Sequence, residues 1–141
     1  MIDPFGIDQS EQIKLLLGGD PVTAMEAAKK LIKMHGQVDP EPLIRVLEDP
    51  RRHLWSRIAA AYALGFLEHR TNSGGAAALL RVLENSKEEV SLRSHAAEAL
   101  SNLGATEAVS ILRRLIHDPQ ESERLQKWCH FALSELKSGD E

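Results

Sequence analysis

A short phrase recurs along this chain at nearly constant spacing. Arg57–Leu64 reads RIAAAYAL, Arg93–Leu100 reads RSHAAEAL, and Gln126–Leu133 is a weaker copy, QKWCHFAL. A period of roughly 35 residues is typical of stacked arrays, in which each unit buries its apolar face only against its neighbours. Because such an array is mostly surface, the pattern favours binding over catalysis.

Each copy is preceded by a second phrase rich in leucine. Leu43–Leu47 reads LIRVL, Leu79–Leu83 reads LLRVL and Leu112–Ile116 reads LRRLI, while Ala24–Leu31 is a fainter copy of the alanine-rich phrase without its arginine. The unit is therefore a pair of segments, and about four units fill the chain. We expect one domain over residues 1–137 and a disordered tail at 138–141.

Apolar residues within a segment keep the spacing of one helix face. Leu92, Ala96 and Leu100 lie at i, i+4 and i+8, as on one stripe of an α-helix, and no segment alternates apolar and polar residues as a half-buried strand would. The sequence therefore predicts an all-α chain, in which alanines let helices approach closely. The leucines that end the copies are the expected core residues: Leu64, Leu100 and Leu133.

Turn residues fall between these segments. The pairs that begin at Asp20, Asp49 and Asp118 are each Asp-Pro, which joins a helix-capping carboxylate to a proline suited to the first turn. We expect each pair to form the turn between the first and second helix of a unit. Gly36 and Gly104 fall where second helices should end, since glycine adopts the left-handed conformation at little cost.

These residues resemble HEAT repeats, and among them the HEAT-like repeats of the phycobilisome lyase type. The resemblance rests on the Asp-Pro turn, the arginine that opens the second helix and the Ala-Ala-x-Ala-Leu run, and it covers roughly residues 20 to 137. It implies a right-handed α-solenoid of about four HEAT-like helical pairs. It also implies a ladder in which Arg57 and Arg93 pair with acidic residues of the intra-unit turn, here Asp49 or Glu88.

The second helices of such an array line its concave face, so their residues outside the core stripe are the expected partner surface. At equivalent positions the second unit has Ile58, Tyr62 and Phe66, where the third unit is polar. This apolar row is either an interface hot spot or the core of a sandwiched helix. The residues predicted to bind a partner are Trp55, Ile58, Tyr62, Phe66, His95, Glu98, Trp128, Phe131 and, at the rim, Arg52.

Charge, hydrophobicity and cysteine content argue against several other classes of protein. A net charge of −4 argues against nucleic-acid binding, which depends on clustered Lys and Arg. No apolar run approaches the length of a membrane span, and the start of the chain lacks a basic flank and a secretory apolar core. The lone cysteine, Cys129, excludes a disulfide framework and predicts a buried thiol. We therefore expect a cytoplasmic protein.

The expected function is a noncatalytic protein-interaction module or scaffold that has no cofactor and no metal and binds a protein partner or a second copy of itself. The resemblance leaves three alternatives: a bilin-lyase-like chaperone subunit, a HEAT-like DNA glycosylase and a metal enzyme similar to deoxyhypusine hydroxylase. The last implies His-Glu pairs at helix starts that hold two irons. No His-Glu dipeptide occurs in the sequence, and the corresponding place reads Arg93-Ser94-His95.

Overall fold

The chain folds into paired α-helices. The computed structural model describes residues 6–34, 38–67 and 74–139, and these ranges contain no β-strand. The helices are α1 (Gln9–Leu17), α2 (Pro21–Ile32), α3 (Glu41–Glu48), α4 (Leu54–Phe66), α5 (Gly75–Glu84), α6 (Val90–Asn102), a 3₁₀ turn (Thr106–Ala108), α7 (Val109–Ile116) and α8 (Glu123–Gly139). The prediction of an all-α chain is confirmed.

The helices form two layers. The even-numbered helices stack on one another in the order α2, α4, α6, α8, and each odd-numbered helix packs against the even-numbered helix that follows it. Contacts between successive even-numbered helices are far more extensive than those between α3 and α5. The even-numbered helices therefore form the more extensively packed layer of the stack.

Small residues on the even-numbered helices make this close stacking possible. A Cβ atom built on Gly65 of α4 would lie 2.8 Å from the Cα atom of Ala99 on α6, so the two backbones are nearly in contact. One continuous core of buried side chains runs from Leu16 to Leu136. Leu64 and Leu100, which the sequence predicts for this core, are fully buried.

The three Asp-Pro pairs lie in the turns between the first and second helices of their units, as predicted, but they differ in helix capping. Only Asp20 caps a helix: its Oδ2 accepts a hydrogen bond from the Thr23 N–H at 2.9 Å, which lowers the pKa of the Asp20 carboxyl. Asp49 and Asp118 instead accept hydrogen bonds from the backbone N–H two residues ahead, at 3.0 and 2.9 Å. Each of these carboxylates stabilises the turn itself, because the chain continues past the proline before the second helix begins.

The end of α6 follows the expected glycine signal. Gly104 has φ +67°, its N–H donates to the Ser101 carbonyl, and the Ala105 N–H donates to the Leu100 carbonyl, both at 3.0 Å. This is the Schellman pattern that satisfies the last carbonyls of a helix. Gly36 lies outside the described residues.

The end of α8 lies close to the expected domain boundary. The helix continues to Gly139, two residues beyond the predicted end of the domain, while 140 and 141 lie outside the described residues, so the domain boundary at 137 and the disordered tail stay predictions. A last helical turn is held by hydrogen bonds to the turn before it and needs no buried side chain. The spacing of the buried leucines therefore does not predict where the helix ends.

Candidate functional site

The even-numbered helices leave one side uncovered by the odd-numbered layer, and aromatic side chains are exposed there. The exposed fractions are 37% for Trp55 and 46% for Phe66 on α4, and 52% for Phe131 on α8. We call this surface the inner face, and its residues are Trp55, Tyr62, Phe66, His95, Glu98, Arg124, Trp128 and Phe131.

Ring contacts hold most of the inner-face aromatic groups in place. Tyr62 and Phe66 lie one helical turn apart on α4 with their ring centroids separated by 5.0 Å. On α8, Trp128 and Phe131 meet edge to face at 6.0 Å. Aromatic pairs prefer these separations. Two aromatic clusters therefore stand on either side of α6.

The His95 ring connects α6 to α4. The ring meets Trp55 edge to face, with centroids 6.5 Å apart. Its Nδ1 lies 2.8 Å from the Ser91 carbonyl oxygen, and since a carbonyl only accepts, Nδ1 carries the proton. In the neutral ring, Nε2 is then an acceptor.

A pocket opens between α6 and α8. Its volume is about 250 Å³ including the open mouth, and it is lined by Ser94, His95, Glu98, Arg124 and Trp128. Trp128 therefore lies beside α6 at this pocket. The Ser94 hydroxyl is buried and has no hydrogen-bond partner among the described residues.

Two predicted partner-binding residues lie elsewhere. Ile58 is fully buried, so it is part of the core, because its repeat position faces the next even-numbered helix, as that of Ser94 does. The apolar row was expected to be either an interface hot spot or the core of a sandwiched helix, and Ile58 belongs to the core. Arg52 is exposed in the turn between α3 and α4, and its Nε lies 3.7 Å from Oδ2 of Asp49, outside the pocket.

The buried arginines link each unit to the next. Arg57 Nε donates to the Leu47 carbonyl at 2.9 Å, and its guanidinium pairs with Glu88, with Nη1 2.9 Å from Oε1. Glu88 lies in the turn of the following unit, so the expectation that the arginine pairs with the turn of its own unit is wrong. Asp49, the other predicted partner, pairs instead with the neighbouring Arg51 at 3.2 Å.

Arg93 repeats this arrangement one unit further along. Its Nε donates to the Leu83 carbonyl at 2.9 Å, and its Nη1 lies 2.7 Å from Oε2 of Glu121. Sequence reasoning missed Glu121, although it stands at the position equivalent to Glu88 in the next unit. Aligning the turn of the third unit with that of the fourth places Glu121 opposite Glu88, and this match could have predicted the pair.

At both ends of the array, the arginine of the ladder is absent where it would have no acidic partner. In the first unit Ala24 replaces the arginine, and in the second unit Arg52 replaces the matching carboxylate, so the two charges are missing together. In the last unit Gln126 takes the arginine position, and its Nε2 donates to the Asp118 carbonyl at 2.8 Å. A neutral amide thus fills the place where no acidic turn follows.

A second ladder on the odd-numbered helices was not predicted. Arg81 pairs with Glu48 at 2.8 Å, and Arg114 pairs with Glu84 at 3.4 Å. The signal lay in the leucine-rich phrase, where an arginine and the glutamate three residues later recur in successive units. These pairs are well exposed, so each contributes little to stability.

The thiol of Cys129 is fully buried, and burial raises its pKa to about 11. No group of three or more His, Cys, Asp or Glu side chains within the described ranges lies close enough to hold a metal ion. None of the helices that the structure describes is long and apolar enough to cross a membrane.

Paired helices, stacked in two layers and joined by recurring arginine bridges, define a helical repeat protein. The family of HEAT repeats matches residues 40–130, which is more than half of the chain. The chain belongs to the HEAT repeat family, as the sequence predicts. Membership in the phycobilisome lyase subgroup stays a prediction.

A solved structure with the same fold is that of human deoxyhypusine hydroxylase in complex with glycerol. It matches with a TM-score of 0.69 and 21% sequence identity, over 94% of this chain and 44% of that one. The chain therefore spans less than half the length of that enzyme, and the likeness shows the fold alone. A comparison with curated proteins found no match.

Proposed function

We propose that this protein is a noncatalytic interaction module that binds a protein partner through its inner face. The observation that carries the proposal is the exposure of Trp55, Phe66 and Phe131 on the inner face, where Trp55 and Phe131 contact the pocket residues His95 and Trp128. Aromatic residues dominate the binding energy of protein interfaces, because they bury a large area at a small cost in entropy.

The arrangement of the rings supports binding better than stacking. The packing of α4 against its neighbours is supplied by buried alanines and by Ile58 and Leu64, so Phe66 is not needed for it. Tyr62 and Phe66 already contact each other. A partner therefore finds rings that need little reordering, which lowers the entropic cost of association.

Charge favours a protein partner over nucleic acid. The net charge is −4, and Arg57 and Arg93 are engaged in buried ion pairs. Phosphate binding depends on free, clustered cations. We place the protein in the cytoplasm, where the single cysteine would stay reduced.

The proposal is tested by substitution on the inner face. A partner is first isolated from the native cells by crosslinking to the tagged protein, and its affinity is then measured with purified components. Tyr62→Ala and Trp128→Ala should each weaken binding by about 2 kcal/mol or more, which is about thirtyfold, as for interface hot spots. Circular dichroism melting of each variant verifies the fold.

Leu15→Ala is the matched control. Leu15 is 41% exposed on α1, in the odd-numbered layer, so its truncation should leave the affinity unchanged. Equal affinity of wild type, Tyr62→Ala and Trp128→Ala, all folded, would refute the inner face as the site. If the partner is a second copy, light scattering of the purified protein should report a dimer that both inner-face variants weaken.

A further inference from the structure

The pocket between α6 and α8 has a more specific chemistry than the aromatic face around it. We propose that it binds a basic side chain of the partner, an arginine or lysine, between Glu98 and Trp128. This inference rests on the proposed function, since the basic group is carried by the bound protein. It adds the kind of residue that the partner must present.

Hydrogen-bond acceptors converge on the pocket from α6. The Ser94 oxygen is buried without a partner among the described residues. A buried polar group left unpaired is costly, and a ligand N–H donor removes that cost. His95 commits its Nδ1–H to the Ser91 carbonyl, so Nε2 of the neutral ring is also an acceptor. A guanidinium or ammonium group supplies several donors and no acceptor.

Glu98 supplies the charge that a cation requires. Its side chain is partly buried in the pocket wall, and it forms no ion pair with any described residue. The pocket also includes the Trp128 ring. The face of an indole attracts a nearby cation, and the attraction grows as water is excluded.

Arg124 is the competing charge in the pocket wall. It also lacks an ion pair within the described part of the chain, but it is exposed in the first turn of α8. Water screens an exposed charge more than a partly buried one. Glu98 therefore has the stronger influence on a ligand inside the pocket, and Arg124 remains hydrated at its mouth.

The test uses three small probes that differ in charge. N-acetyl-arginine amide is titrated into the isotopically labelled protein, with N-acetyl-citrulline amide as the neutral analogue and N-acetyl-glutamate amide as the acidic probe. Nuclear magnetic resonance follows the indole N–H of Trp128 and the backbone N–H of Glu98. We expect saturable shifts at both groups, in the millimolar range, with the arginine probe alone.

Two variants assign the charge that is recognised. Glu98→Gln should weaken the arginine probe about tenfold, since it removes a charge-assisted hydrogen bond. Arg124→Gln should leave that affinity equal or raise it. Equal binding of the citrulline probe, no saturable shift with the arginine probe, or binding of the glutamate probe that Arg124→Gln abolishes would each overturn the proposal.

These results are separable from the test of the proposed function. The probes report on the pocket without a partner protein, whereas Tyr62→Ala reports on partner affinity at a position outside the pocket wall. If the probes fail while Tyr62→Ala still weakens the partner, the inner face binds protein but the pocket does not select a basic residue. If the probes fail and neither Tyr62→Ala nor Trp128→Ala weakens the partner, both proposals fall.

Discussion

At the scale of single residues, the arginine bridges show how burial decides the energetic value of one interaction. The side chains of Arg93 and Glu121 are only 4% and 7% exposed, whereas those of Arg114 and Glu84 are 61% and 45% exposed. Both pairs join neighbouring units. Removing one partner of a buried pair leaves an uncompensated charge in a poorly hydrated place, while an exposed partner is simply solvated.

Arg93→Met should therefore be strongly destabilising. The substitution leaves Glu121 without its partner and the Leu83 carbonyl without the donor at 2.9 Å, so we expect the free energy of unfolding to fall by about 3 to 5 kcal/mol. Urea denaturation measures the change. Adding Glu121→Leu should recover a large part of the loss, because the double variant no longer buries a single charge.

Arg114→Met provides the comparison. This variant also replaces an arginine with methionine and breaks a bridge between units. Because the bridge is exposed, we expect the free energy of unfolding to fall by less than about 1 kcal/mol. Equal losses for Arg93→Met and Arg114→Met would show that burial does not set the strength of these bridges.

At the scale of helices, the contact between α4 and α6 depends on the absence of a side chain at Gly65. A Cβ atom there would lie 2.9 Å from the Cβ atom of Ala99, closer than real Cβ atoms come. The atoms that would clash belong to the Ala99 backbone and its Cβ, which cannot rotate away as the end of a flexible side chain could. The helices themselves must therefore move apart to accept a methyl group.

Gly65→Ala should destabilise the protein although alanine favours helices. Overpacking costs about 1 to 3 kcal/mol, and the helix preference returns about 0.5 to 1 kcal/mol, so we expect a net loss that denaturation detects. Gly18→Ala is the control: its added Cβ would meet only the Leu15 carbonyl oxygen, at 3.4 Å, and φ is −65°. A stabilised Gly65→Ala would contradict the close helix contact.

The sequence predicted where the Asp-Pro turns lie, but not which of them caps a helix. Asp20, Asp49 and Asp118 share one dipeptide, yet only Asp20 begins a helix. Whether the aspartate caps the helix depends on how many residues separate the proline from the start of the helix. The Asp-Pro dipeptide alone does not specify that number. Glu121, the partner of Arg93, was not predicted because the ladder crosses to the turn of the next unit, whereas the resemblance implies pairing within one unit.

At the scale of the whole molecule, the repeat made the fold predictable and the site only partly so. Paired alanines and closing leucines recur because every unit packs against the next in the same way, which predicts both layers. A binding site depends on which repeat positions remain uncovered. Ile58 and Tyr62 are spaced by one helical turn and look alike in the sequence, but α6 covers only Ile58 completely.

The stack also predicts how the molecule loses structure. In a linear array each unit is stabilised only by its own helices and its neighbours. Leu100 on α6 is fully buried, and α6 contacts α4, α5 and α8. Leu133 lies at 8% exposure on α8, whose main contacts are α6 and α7. Each leucine-to-alanine change should lower the free energy of unfolding by about 2 to 5 kcal/mol. The two changes should destabilise different sets of helices.

Native-state hydrogen exchange distinguishes the two cases. Leu133→Ala should lower the protection of amides in α7 and α8 while α2 and α4 keep theirs, because the remaining units still stack. Leu100→Ala should lower protection on both sides, since α6 joins α4 to α8. If both variants lowered protection equally along the chain, the protein would unfold as one cooperative unit, and the coupling between units would exceed what contacts between neighbours provide.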